Sequence, residues 1–238
     1  MPTELPDKLT PASKEQAIEA LWKAWLGYFG SAPKKESIWI LVAQWGLETG
    51  FGRACHNWNF GNVKSHDGDG YDFQCFGCGE EIPLAMANAW KAKDPTLVIF
   101  KRTYDLGGKP MVSVWVNPPH PASRFRAFET ILEGATDYIA LLVKRFTVAW
   151  PSVEAGDPVA FSHGLKQQGY YTADVNAYTA TMVSTFNAIS KLAFDYDSLP
   201  ALTDDEKNRI GDIVGMALYE SIGESLAADN VIPPDSTT

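Results

Sequence analysis

Cysteine is scarce in this chain, and positive charge is outweighed. Cys55, Cys75 and Cys78 are an odd number of thiols, which excludes a fully paired disulfide framework within one chain and leaves stability to packing. The 20 basic side chains face 29 acidic ones, a net charge of −9. That balance argues against a nucleic-acid binder, whose affinity needs a clustered basic face. No apolar run approaches the roughly 20 residues that a membrane-crossing helix requires, so no membrane span is expected. The start, MPTELPDKLTPASKEQ, lacks the basic segment and apolar stretch of a secretory signal, and the expectation is synthesis in the cytoplasm. Internal repeats and low-complexity tracts are missing too.

What is present is core material. At 238 residues, 45% hydrophobic and 12% aromatic, the chain can bury one sizeable core. Ser13-Lys-Glu-Gln16 reads as a capping box, and Ile18, Leu21, Trp22, Trp25 and Leu26 follow at helical spacing. Pro33 precedes a second helix carrying Ile38, Leu41, Val42 and Trp45. From Ala54 to Arg126 the helical period breaks up under recurring Gly, Asp, Cys and Pro. Within that segment Leu84–Lys91 reads as a short helix, and 97–102 and 111–116 as strands around the turn Asp105-Leu-Gly-Gly-Lys109. Helices resume over 128–146, from Asp157-Pro158 to Gly169, and along Tyr178, Met182, Phe186 and Ile189. A last amphipathic helix carries Ile210, Val214, Ala217 and Leu218, expected to pack on the body, and NVIPPDSTT reads as a loose tail.

One residue in the second helix is out of place. Positions 41, 45 and 48 project from one side, so Glu48 continues the apolar line of Leu41 and Trp45 into the last turn. Desolvation and the negative end of the helix dipole both disfavour a charged carboxylate there. A carboxyl group that keeps its proton near neutrality suits general-acid cleavage of a glycosidic bond. The same pattern also fits a glutamate that bends out to solvent or caps a loop N–H.

The segments GLETGFG and NWNFGNVKS resemble the glucosaminidase family of bacterial cell-wall hydrolases, the flagellar and autolysin-type endo-β-N-acetylglucosaminidases. The matching positions are Leu47 to Gly52, then Asn57, Asn59, Phe60, Gly61, Val63 and Lys64. FRAFETILEGATDYIALL, from Phe125, and LKQQGYYTADVNAY, from Leu165, are similar to two later segments of that family in the same order. The family's Thr-Asp-Pro is Thr172-Ala173-Asp174 here. The resemblance spans roughly residues 37 to 190. It implies an α+β, mainly helical, lysozyme-like fold in which a helical body and a small β-lobe flank a glycan cleft. It implies Glu48 as the catalytic acid, peptidoglycan glycan strands as the substrate, and no cofactor.

The family's second carboxylate comes from the β-lobe hairpin, where Asp105 stands nearest, with Asp72, Glu80 and Glu81 as competitors. Without such a group, internal attack by the sugar's own hydroxyl would make the chain a lytic transglycosylase; a muramidase and a non-catalytic wall-binding or phage-particle module are further readings. Tyr170 and Tyr178 match the family's two tyrosines, and Tyr170 suits cleft and core equally. Asn59 and Phe60 fit a cleft floor or a turn amide and core ring, and Trp58 a sugar-stacking ring or packing. The expected organisation is one domain over 1–198 with its β-lobe at about 54–126, a helix over 199–228 and a tail over 229–238. Delivery to the wall would need lysis, an injection machine or a phage-like particle.

Cys55, His56, His66, Cys75 and Cys78 could hold zinc, but only one Cys-x-x-Cys is present and the spacing fits no standard module, so reduced thiols or a single disulfide are favoured. HDGDGYD, with Asp67, Asp69 and Asp72, alternates oxygen ligands but lacks a full calcium loop, and reads as a turn. No metal is expected.

Overall fold

A computed structural model describes residues 2–171 and 173–229, with side chains through residue 220. The fold is α+β: eight α-helices among the described residues, and two small antiparallel sheets. Thr172 of the resemblance and the tail over 230–238 lie outside the described residues. Among those described, no helix is long and apolar enough to cross a membrane.

The chain divides into two compact units. The larger, helical unit comprises Leu9–Gly61 and Phe128–Thr238. Its helices are α1 (Lys14–Phe29), α2 (Lys35–Thr49), α4 (Ile131–Arg145), α5 (Trp150–Ala155), α6 (Pro158–Gln167), α7 (Val175–Ile189) and α8 (Asp204–Asp229). The Ser13 hydroxyl accepts from the Gln16 N–H while the Gln16 side chain takes the Ser13 N–H, so both partners of the capping box are made. Thr130 and Glu133 repeat the device at α4, and Asp157 caps α6 ahead of Pro158.

Helix α2 runs through the middle of this unit. Ile38, Ile40, Leu41, Val42, Ala43 and Trp45 are all fully buried, so its apolar surface goes nearly all the way round rather than down one face. It shares one core with Ile18 and Leu21 of α1, Tyr138, Ile139 and Leu142 of α4, and Phe161 and Leu165 of α6, and its nearest helices are α7, α1 and α5. Helix α8 folds back onto the body. Ile210 is buried, and a side chain at Gly27 of α1 would lie 2.4 Å from the Ile210 methyl, so glycine permits that approach.

The smaller unit comprises Met1–Lys8 and Asn62–Ala127; residues 54–61 pack with the helices instead. Strands β2 (Cys78–Pro83), β4 (Lys109–Val116) and β3 (Val98–Leu106) form one antiparallel sheet in that order. Gly107 and Gly108, both at positive φ, make the two-residue loop between β3 and β4, the backbone that a tight hairpin demands. Val98, Val112, Val114 and Val116 point to one face and pack with Ala87 of α3 (Leu84–Lys93) and with Phe125. A second pairing joins β1 (Phe73–Cys75) to β5 (Arg124–Arg126), and the N-terminal segment bonds to Phe73 through Thr3 and Leu5.

Candidate active site

The site grows out of the way α2 ends. Gly50 adopts the left-handed conformation at the C-cap, with φ 59°. Phe51 then folds back so that its ring covers Gly46, where any Cβ would lie 2.4 Å from the ring. Thr49 clamps the turn: its hydroxyl donates to the Trp45 carbonyl (2.7 Å) and accepts from the Gly52 N–H (2.9 Å). The segment TGFG is thus a tight reversal that holds the last helical turn in place, and Glu48 sits in that turn.

Glu48 is half-buried. Its Oε1 accepts from the Gln44 amide one turn back and from the Tyr178 hydroxyl of α7, each at 3.3 Å. Gln44 is fully buried, and its own carbonyl accepts from the Tyr138 hydroxyl of α4. That bond aims the Gln44 NH2 at Glu48. Tyr170 also reaches Gln44. Desolvation pushes the Glu48 pKa above its ordinary value, and donation from Tyr178 and Gln44 only partly offsets it. Burial beside Glu48 pushes all three tyrosines, Tyr138, Tyr170 and Tyr178, well above the usual phenol range, so each remains a neutral donor.

Glu48 opens onto a cavity of about 600 Å³ lined by Leu47, Tyr170, Tyr171, Ala177, Tyr178 and Thr181. Tyr171 stacks face to face on Tyr178 at 3.7 Å and anchors through its hydroxyl to the Ser162 carbonyl. Glu48 is the single carboxylate among the described residues lining this cavity. A proton held by a desolvated carboxyl, next to phenol donors in an open cavity, can be passed to a bound oxygen.

Of the residues singled out in the sequence, Glu48, Tyr170 and Tyr178 come together here. Gln44, Tyr138 and Tyr171 join them. Gln44 had a readable signal, an amide one helical turn before the glutamate in an otherwise apolar run; the two tyrosines had none beyond their stripe or motif. Phe60 is a core ring, fully buried and stacked on Trp45 at 5.2 Å, and so forms no cleft floor. Asn59 is buried in the turn that follows His56. Trp58 lines a separate cavity of about 300 Å³ with Gln16, Lys23 and Glu206; its carbonyl presses on Gly134, where a Cβ would lie 1.8 Å away.

The candidate second carboxylates all belong to the smaller unit. Asp105 accepts from the Gly108 N–H (2.7 Å), Asp72 from the Thr3 N–H (2.7 Å), Glu80 pairs with Lys64 (2.5 Å), and Glu81 accepts from the Tyr104 hydroxyl. Cys55 lies buried in the helical unit; in the other, Cys78 is buried and Cys75 half-buried; all three are free thiols. Among the described residues no His, Cys, Asp or Glu cluster converges as a metal site. Asp69 instead organises its own loop, accepting from the His66 and Tyr71 N–H groups.

Neither protein-family models, nor curated proteins, nor solved structures give a match to this chain. The functional reading therefore rests on the site itself and on the sequence motifs that build it.

Proposed function

We propose that this chain is a peptidoglycan hydrolase that cleaves the glycan strand as an endo-β-N-acetylglucosaminidase, with Glu48 as general acid. The observation that carries the proposal is the desolvated Glu48 carboxyl at the wall of an open, tyrosine-lined cavity. Glu48 gives its proton to the glycosidic oxygen as the bond breaks. The carboxylate left behind accepts from Tyr178 and Gln44, both already positioned to donate. Tyr170 and Tyr178 offer neutral hydroxyls to the positively polarised sugar ring or its N-acetyl group. The ordered likeness of LETGFG, NWNFGNVK and the two later segments to the glucosaminidases supports the substrate class, and a helical unit with a small β unit is consistent with a lysozyme-like fold. No cofactor enters the scheme. The enzyme reaches the wall by lysis, injection or carriage in a phage-like particle.

A second reading, lytic transglycosylase, draws on Glu48 being the one carboxylate among the described residues of the cavity wall, since internal attack by the sugar's own hydroxyl needs no second one. Purified sacculi separate these readings. Wild type is expected to clear them, and Glu48→Gln to clear them about 10²–10⁴-fold more slowly. Reducing N-acetylglucosamine ends in the products support the glucosaminidase, reducing muramic ends a muramidase, and anhydro-muramic ends the transglycosylase. Equal clearing by both proteins would remove Glu48 from the chemistry, and binding without clearing by wild type would mark a wall-binding module.

A further inference from the structure

One face of the β2–β4–β3 sheet in the smaller unit keeps large side chains exposed among the described residues. Alternation along β2, β4 and β3 sends Val98, Val112, Val114, Val116 and Cys78 inward. The opposite face is built from the rows Gly79–Trp115–Ile99, Glu81–Ser113–Arg102 and Pro83–Met111–Tyr104. Trp115 is 39% exposed, unusual for the largest apolar side chain in the middle strand. It is nevertheless held. Its indole N–H donates to Asn117 (3.0 Å), and its ring lies on Gly77, where a Cβ would meet it at 2.9 Å. A pinned indole with a face turned outward loses little entropy when a flat apolar ligand stacks on it.

The rest of the face suits a sugar chain. Next to the indole the floor is low, made of Gly79 and Ser113, and a Cβ at Gly79 would meet nothing closer than 4.0 Å. At the far end Arg102 stacks on Tyr104 (5.1 Å), whose hydroxyl donates to Glu81. Among the described residues no carboxylate pairs with the Arg102 guanidinium. From Trp115 to Met111 the strip runs about 14 Å along β4, long enough for a short oligosaccharide. An aromatic platform, a shallow trough and a guanidinium that stacks on Tyr104 and meets no carboxylate among the described residues together match a glycan whose sugars or side groups bear carboxylates. On a chain of net charge −9, the Arg102 guanidinium is the group on this face that would counter repulsion from such a strand.

We infer that the Trp115–Ser113–Arg102 face of the β2–β4–β3 sheet is a binding platform for carboxylate-bearing glycan strands. The identity of the strand as peptidoglycan rests on the function proposed above. The platform holds polymer and performs no chemistry.

The test is retention on sacculi by the full chain carrying Glu48→Gln, so that turnover cannot confuse binding. Adding Trp115→Ala is expected to weaken retention about tenfold, the scale of one lost stacking contact. Gly79→Gln fills the trough without touching the core and should weaken retention comparably. Arg102→Gln should weaken retention on sacculi, flatten its salt dependence, and leave binding to neutral chitin oligosaccharides unchanged. Circular dichroism melts check that each variant is folded. Undiminished retention by folded Trp115→Ala and Gly79→Gln variants would overturn the platform. Clearing of sacculi by proteins with an intact Glu48, run in parallel, keeps the two ideas apart: Trp115-dependent retention without clearing removes the catalytic reading alone, and clearing with Trp115-independent retention removes the platform alone.

Discussion

Glu48 carries the proposed chemistry, and its environment also sets a stability cost. Burial favours the neutral carboxyl, while Tyr178 and Gln44 donate to the anion; burial wins and the pKa rises above 4.5. The folded chain therefore holds this proton more tightly than the unfolded chain does. That contribution is fully present below the ordinary value and is lost as pH rises through the raised folded value. Glu48→Gln removes the ionising group and keeps an oxygen for Tyr178. Its melting temperature is expected to exceed that of wild type at about pH 8, with the gap closing below about pH 4; a gap that is constant across this range would contradict the raised pKa. The sequence showed where this carboxyl stands and that desolvation would act on it, but not how far the burial of its helix extends. Spacing placed Glu48 on the stripe of Leu41 and Trp45, yet α2 is buried on nearly every side. Its partner Tyr178 lies 130 positions away, and no periodicity reports a contact at that distance. Phe60 illustrates the converse: a motif position that suited either cleft floor or core is a ring in the core.

At the scale of elements, legibility followed local chemistry. Ser13, Thr130 and Asp157 cap where hydroxyl or carboxylate side chains precede helical runs, and Gly107-Gly108 turns the hairpin. These signals act within a few residues and can be read without the fold. The short helix Trp150–Ala155 and the β1–β5 pairing went unread: six residues beginning Trp-Pro show no period, and three-residue strands paired across about fifty positions exist only through tertiary packing. The reversal after α2 yields a sharp prediction. Gly52 has φ 79°, and a Cβ there would lie 2.9 Å from the Ala12 backbone nitrogen and 3.0 Å from the Trp45 ring. Gly52→Ala is expected to cost about 1–3 kcal/mol through strained backbone, read as a lower urea midpoint with an unchanged slope. A midpoint equal to wild type would mean that the turn relaxes freely and does not hold Glu48 rigidly.

Across the helical unit, stability and the proposed chemistry are carried by different parts. Helix α8 reaches the body through Ile210, Ile213 and Ala217 and is tied down by Lys23–Glu206 (2.8 Å) and Arg209–Glu133 (2.7 Å). The ion pairs are partly exposed and contribute little beyond orientation; the buried isoleucine in the Gly27 notch supplies the energy. None of these residues lines the Glu48 cavity. Ile210→Ala removes a fully packed side chain and leaves a void that α1 cannot fill without moving as a unit, so a loss of about 2–5 kcal/mol is expected. Well below the melting transition Glu48, Tyr138 and Tyr178 stay where α2, α4 and α7 put them, and, on the proposed function, the initial rate of sacculus clearing should stay within about twofold of wild type. Thermal melts and clearing rates on the same preparation check both halves. A variant that melts lower and also clears more slowly at low temperature would show that α8 helps to position Tyr138 or Tyr178, and the separation argued here would fail.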